Sequence, residues 1–323
     1  MTEGWEQERA RFWELLGRAR APVAITGAGV SAESGVPTFR GPEGLWKRFR
    51  PEELATPEAF ARDPELVWRW YDWRRTRVAE ARPNPAHRWL AGYEATRDRF
   101  LLVTQNVDGL HRLAGSRNLV EIHGSLWRTR CTGCGREEED RRVPLPIPPR
   151  CNRCGALLRP AVVWFGEALP QEGFAQAVSA VRAADLLLVL GTSAVVYPVA
   201  GLPDLAPQAA LVEINPEPTG LSPRADLSVR APAGRFLAPL LDQTPPAEGG
   251  PAPHERREGG NGMKKVWVDD ECIACGTCVD MCPEVFELEG EIATVREDAD
   301  LSLDDEIVEA AEACPVEAIH YED

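Results

Sequence analysis

Lysine is scarce. Of 36 basic residues only Lys47, Lys264 and Lys265 are lysine and the rest are arginine, a skew that a GC-rich coding bias explains better than thermal adaptation does. Long apolar runs are also missing: the longest, LLLVL at residues 186–190, is far short of the roughly 20 residues that cross a bilayer, so no membrane span is expected. The first dozen residues mix Glu, Gln and Arg with aromatics and contain no apolar segment of the secretory kind, which points to the cytoplasm. Nor is there a basic stripe. Residues 1–262 hold 33 Lys+Arg against 32 Asp+Glu, and without clustered cations to displace counterions the chain is not expected to bind nucleic acid.

The formal net charge of −15 belongs to one end. Residues 263–323 carry 3 Lys+Arg and 19 Asp+Glu, a net of −16, which leaves the first 262 at +1. Such an acidic piece suits a basic protein partner. Ahead of it, QTPPAEGGPAPHERREGGNG (residues 243–262) has four prolines, five glycines and almost nothing apolar; it cannot offset its ordering entropy and reads as a flexible linker. In residues 1–242 the apolar runs PVAITG, FLLVTQ, LLLVLG and AALVEIN alternate with helix-like segments, predicting an α/β fold with a covered parallel sheet. Residues 263–323 read as strand, cysteine run, strand, helix and strand, a small α+β domain.

In a reducing cytosol nine cysteines read as metal ligands or reactive thiols sooner than as disulfides. Cys131-x2-Cys134 and Cys151-x2-Cys154, sixteen residues apart, have zinc-ribbon spacing and define a small lobe at about residues 125–160. Four thiolates leave no open position for water, so this zinc is structural. The second set is Cys272-x2-Cys275-x2-Cys278-x3-Cys282-Pro283 with a distant Cys314-Pro315.

PVAIT runs into GAGVSAESGVPTFRG (residues 27–41), where glycines at 27 and 29 let the backbone approach a pyrophosphate at a helix N-terminus. The turn does not follow G-x-G-x-x-G and alone is equally a structural turn. TQNVDGLH (residues 104–111) places Gln105, Asn106 and Asp108 at a strand end, where ligand-binding groups of α/β sheets collect, with a helix cap as the alternative. Beyond stand IHG (122–124), VVWFGE (162–167), GTS (191–193) and INPEP (214–218).

In this order the motifs resemble the sirtuins, NAD-dependent protein-lysine deacylases, over roughly residues 10–242. The resemblance implies a Rossmann-like domain with a small zinc lobe, NAD between them, and acylated-lysine proteins as substrates entering from the opposite side. Carried over residue by residue, it gives Gly27, Ala28, Gly29, Phe39 and Arg40 to the NAD loop, and Gln105, Asn106 and Asp108 to the nicotinamide and its ribose. Gly191, Thr192, Ser193, Asn215, Pro216 and Glu217 then hold the phosphates and adenosine, Ala233 lies near the adenine, and Val163, Trp164, Phe165 and Gly166 line the acyl-lysine channel. His123 is the implied general base, with Asn106 and Asp108 completing the catalytic group; an imidazole titrates near neutrality and can take a ribose hydroxyl proton. In the implied reaction the substrate amide oxygen attacks the anomeric carbon as nicotinamide leaves. The hydroxyl deprotonated by His123 attacks the resulting imidate, and water releases lysine and acylated ADP-ribose; no hydride moves.

In PELVWRWYDWRRTRVAE (residues 64–80) Tyr71 and Arg74 stand three apart on one helix face, and with LATPEAF (54–60) they resemble the sirtuin class that prefers acidic acyl chains. A guanidinium pairs bidentately with a succinyl or malonyl carboxylate and suits an acetyl methyl poorly. The alternative is that Arg69, Arg74, Arg75 and Arg77 only solvate the helix. Residues 263–323 resemble bacterial ferredoxins. The resemblance implies one [4Fe–4S] cluster on Cys272, Cys275, Cys278 and Cys314, with Cys282 left as a thiol outside the cluster. Competing readings are an NAD(H)/ferredoxin-linked electron-transfer protein, which normally needs a flavin between two-electron and one-electron carriers, and an ADP-ribosyltransferase.

Overall fold

Four of the apolar runs become strands of one parallel sheet. In the computed structural model of the protein, residues 4–39, 50–241 and 243 are described, followed by 265–269, 272, 274–289, 292–296, 299, 301, 303, 307–308, 310–311, 314, 316 and 318–322. They divide into two units, Met1–Pro253 and His254–Asp323. The linker expected at 243–262 lies outside the described residues, Gln243 apart.

In the first unit α1 (Glu6–Arg18) leads to β1 (Pro22–Thr26) and a 3-10 turn at Ala28–Ser34. Helices α2 (Pro51–Leu54), α3 (Pro57–Arg62), α4 (Pro64–Glu80) and α5 (Pro85–Glu94) follow, then β2 (Leu101–Thr104), α6 (Leu110–Ala114) and β3 (Leu119–Glu121). Strands β4 (Gly124–Cys131), β5 (Glu137–Glu139) and β6 (Leu158–Val162) form the small lobe, and α7 (Gln171–Arg182), β7 (Leu186–Leu190), β8 (Ala210–Ile214), β9 (Leu227–Val229) and α8 (Ala233–Leu237) return to the large one. The parallel sheet has the order β3-β2-β1-β7-β8-β9. Both β1 and β7 are buried at all five positions, as strands covered on both faces must be. The order reverses between them, and at such a switch point the loops leaving the strand ends part to form a crevice.

The small lobe pairs β5-β4-β6 antiparallel. Its core extends beyond residues 125–160, because α4 packs Val67, Trp68, Trp70 and Tyr71 against Leu126, Leu158 and Trp164. Pro64 at the first turn and the Asp63 carboxylate, which accepts the Leu66 N–H at 2.9 Å, fix where α4 begins.

The second unit contains β10 (Lys265–Val268), α9 (Thr277–Met281), β11 (Phe286–Glu289), β12 (Ile292–Val295) and β13 (Ile319–Glu322). β10 pairs antiparallel with β13, and β11 with β12. Of the helix expected at 304–314, residues 307–308 and 310–311 are described and helical. Cys282 is 1 % exposed and packs with Cys278, Val285 and Phe286 in this unit's own core.

Candidate active site and metal centres

The crevice at the switch point is a cavity of about 1310 Å³. Its floor is main chain. The Gly29 N–H donates to the Gly191 carbonyl at 2.8 Å, and a Cβ on Gly29 would stand 2.7 Å from that oxygen. A Cβ on Gly27 would meet Thr192 at 2.7 Å, and Gly191, at φ +57°, would place one 2.2 Å from the Val30 nitrogen. The loops after β1 and β7 therefore touch back to back, leaving open backbone of the kind that accommodates a pyrophosphate. Every residue assigned to NAD or acyl-lysine lines this cavity except three: Arg40 lies outside the described residues, and Asp108 and Ala233 are set behind the wall. Ala233, 3 % exposed, packs in the sheet core with Phe236 and Leu237, and its neighbour Pro232 faces the cavity instead.

His123 Nδ1 lies 3.1 Å from the Gln105 carbonyl oxygen, which can only accept, so Nδ1 carries the proton and Nε2 keeps its lone pair. Burial lowers the His123 pKa below 6.5, against the opposing pull of that carbonyl, and leaves a neutral base. Gln105 Nε2 in turn donates to Thr192 Oγ1 at 3.0 Å. Asp108 acts from behind: Ser31 Oγ donates to its Oδ2 at 2.8 Å and accepts from Asn106 Nδ2 at 3.0 Å. The Asn84 N–H faces His87 Nδ1 at 3.3 Å, so His87 Nε2–H completes the set by donating to Ser31 at 3.3 Å. Burial holds His87 at about 4 and raises Asp108 above the usual carboxylate range, although the Leu110 N–H and the Ser31 hydroxyl oppose the latter shift. Ser31 and His87 escaped the sequence reading; the only trace of His87 is the capping-box spacing Asn84-x2-His87 at the start of α5.

Glu213 escaped too, though a lone acid in the apolar strand β8 was a visible anomaly. It is 1 % exposed and accepts from Ser222 Oγ (2.6 Å), Ser228 Oγ (2.8 Å), Arg230 (2.9 Å) and the Thr219 hydroxyl. Burial works to raise its pKa, but these donors hold it below the ordinary value of a glutamate carboxyl. The carboxylate ties down the segment after Asn215, whose side chain donates to the Glu217 carbonyl at 2.7 Å.

At the other end Arg74 stands with its guanidinium carbon 4.8, 4.9 and 5.6 Å from the ring centroids of Phe39, Trp70 and Tyr71. Among the described residues it has no salt-bridge partner, and aromatic faces surround the cation. Its neighbour Arg75 is not a solvating residue. At 1 % exposure it donates to the carbonyls of Leu126 (2.6 Å), Asp140 and Arg142 (3.0 Å), clamping α4 to the small lobe, whereas Arg69 and Arg77 are exposed.

The sulfurs of Cys131, Cys134, Cys151 and Cys154 lie within 4.8 Å of one another, as tetrahedral thiolate ligation of one ion requires. N–H groups of Cys134 and Gly133 point at Cys131 Sγ, both at 3.4 Å, and the first of these leads in drawing that thiol down to about 6. In the second unit Cys272, Cys275, Cys278 and Cys314 line one enclosed pocket with Val268, Val316 and Ile319. The N–H groups of Ala293 (3.3 Å) and Ala274 (3.4 Å) reach Cys272 Sγ, and that of Ala318 reaches Cys314 Sγ (3.4 Å), donors suited to cluster thiolates. Cys282 is not in this lining, and no disulfide joins any of the nine cysteines. Replacing Cys131 by Ser should release zinc and unfold the small lobe, with loss of activity, whereas Cys314→Ser should remove iron and visible absorbance while zinc stays; elemental analysis with circular dichroism checks both.

A six-stranded parallel sheet with glycine backbone at its switch point and a closed four-thiolate lobe defines a two-lobed dinucleotide-binding protein. Residues 27–198 match the Sir2 family, and the chain belongs to it. It is similar to NAD-dependent protein deacylase 2 of Pyrobaculum aerophilum, at 54 % identity over 232 residues, 71 % of this chain and 93 % of that one. An NAD-dependent protein deacylase of Thermus thermophilus is 51 % identical over 267 residues, 80 % of this chain and 98 % of the relative. A Sir2 homologue solved as an NAD complex superposes with a TM-score of 0.68 at 50 % identity, covering 72 % of this chain and 93 % of that one. Residues 268–321 match the 4Fe-4S single cluster domain of ferredoxin I. NAD, a four-cysteine zinc and one [4Fe–4S] cluster are the cofactors these sites accept. Among the described residues no helix is long and apolar enough to cross a membrane.

Proposed function

We propose that the chain is an NAD-dependent protein-lysine deacylase that prefers succinyl- and malonyl-lysine to acetyl-lysine, acts on acylated proteins in the cytoplasm, and carries a tethered electron-transfer domain whose acidity fits a basic redox partner. The acyl preference rests on Arg74, a cation caged by aromatic rings at the cavity wall with no carboxylate of the described residues in salt-bridge contact with it. Burial lowers its pKa, Tyr71 and Asp108 counter this, and an arginine stays charged throughout. Bound NAD supplies the ADP-ribosyl group that accepts the acyl chain, giving nicotinamide and O-acyl-ADP-ribose.

The protein's own part begins with His123, whose Nε2 takes the proton of a ribose hydroxyl while Nδ1–H stays on the Gln105 carbonyl. Ser31 and Asp108 orient Asn106 toward the nicotinamide side, and Glu213 braces the adenosine side. The Val163 N–H donates to the His123 carbonyl at 2.9 Å, so the acyl-lysine channel of Val163, Trp164, Phe165 and Gly166 is hydrogen-bonded directly to the base.

Incubating the purified full chain with NAD and succinyl-, malonyl- or acetyl-lysine peptides, with products read by mass spectrometry, tests this. Nicotinamide, free lysine and acyl-ADP-ribose should appear together, and kcat/KM for succinyl-lysine should exceed that for acetyl-lysine by about tenfold or more. Equal values would refute the acyl preference, and nicotinamide release with ADP-ribose left on protein would point to ADP-ribosyl transfer instead.

A further inference from the structure

Tyr71 lies beneath Arg74 at 2 % exposure, and the Trp164 indole Nε1–H donates to its hydroxyl oxygen at 2.9 Å. An indole N–H can only donate, and a phenol has one proton to give. Because Trp164 occupies the acceptor side of the Tyr71 oxygen, the phenol proton is directed elsewhere. Tyr71 and Arg74 both line the cavity, and the phenol oxygen makes no other hydrogen bond among the described residues. Burial raises the Tyr71 pKa above 10, which keeps that proton in place.

The indole is itself fixed. Arg159 stacks on the Trp164 ring with its guanidinium carbon 3.5 Å from the centroid, and Phe60 packs against the ring at 5.3 Å. Glu167 holds Arg159 through two bonds of 2.6 and 2.8 Å and also accepts the Trp164 backbone N–H at 2.9 Å. A cation against the π face withdraws electron density and strengthens the indole N–H as a donor.

We infer that Trp164 is a specificity-determining positioning residue: by donating to the Tyr71 oxygen it commits the tyrosine proton to the acyl pocket, which then presents only donors, the Tyr71 O–H and the Arg74 guanidinium, to a substrate carboxylate. This rests on the acidic-acyl reading above. A tyrosine free to rotate would turn a lone pair toward the carboxylate part of the time, and that arrangement repels it.

Trp164→Phe removes the N–H and keeps an aromatic ring. The ratio of kcat/KM for succinyl-lysine over acetyl-lysine should fall about tenfold, mainly through the succinyl KM, and in a Tyr71→Phe background the same change should leave the ratio where Tyr71→Phe put it. Equal losses on both substrates, or an effect that adds in full to that of Tyr71→Phe, would overturn the inference. If Arg74→Met lowers the ratio and Trp164→Phe does not, the acyl reading stands and this one fails; a wild-type enzyme indifferent to the acyl carboxylate overturns both. A second measurement avoids the Trp164 variant: in full-length protein with ¹⁵N-labelled indoles, Tyr71→Phe should move one indole N–H proton upfield, and an unmoved set would show that the bond is not made.

Discussion

His123→Ala should lower kcat by about a hundredfold to ten-thousandfold, the range general-base catalysis supplies, with a smaller change in the KM for NAD. The remaining site is built to bind without it, since the cavity floor is backbone and Asn106 is held by Ser31. The pH profile gives an independent check. Neutral His123 is the active form and burial lowers its pKa below 6.5, so wild-type kcat/KM should rise with pH along a limb lying below 6.5 and then stay level through neutrality. That limb should disappear in His123→Ala. Its persistence in the variant would assign the titration, and the role of base, to another group.

Arg74→Met should lower kcat/KM for succinyl- and malonyl-lysine by about tenfold to a hundredfold relative to acetyl-lysine, since a hydrogen bond to a charged group contributes about 1.5–3 kcal/mol. Methionine keeps much of the volume among Phe39, Trp70 and Tyr71 while removing the cation those rings enclose. Steady-state kinetics on matched peptides decides the matter, and an equal loss on all three acyl groups would make Arg74 a packing residue. Arg75→Met is the instructive control. It strips donors from the buried carbonyls of Leu126 and Asp140 and the part-buried carbonyl of Arg142, and should act through thermal stability.

That contrast shows where the sequence stopped being informative. Arg74 and Arg75 have the same chemistry at adjacent positions, and one step along a helix turns a side chain by about 100°. One therefore faces the cavity and the other the small lobe, a difference set by Leu126, Asp140 and Arg142, more than fifty residues away. Four of the six strands of the sheet and both cysteine sets were legible because their signals are local, apolar runs between turns and cysteines separated by two residues, whereas the three-residue edge strands β3 and β9 were too short to show. The Ser31–His87–Asp108 network and the Trp164–Tyr71 bond were not, since each joins side chains brought together only by the completed fold. Strand β11 was missed because FELE alternates apolar and acidic residues within an acidic stretch and gains its pairing only from β12.

Because Gly27, Gly29 and Gly191 interlock without space for side chains, the part of the proposed dinucleotide site that they form is main chain and cannot be retuned by exchanging residues there. The opposite wall, at Tyr71, Arg74 and Trp164, is made of side chains carried on α4 and on the segment after β6. Point substitutions can therefore diversify acyl choice while cofactor dependence stays fixed, so descendants of one such scaffold are expected to diverge in what they remove from lysine long before they diverge in what they consume to remove it.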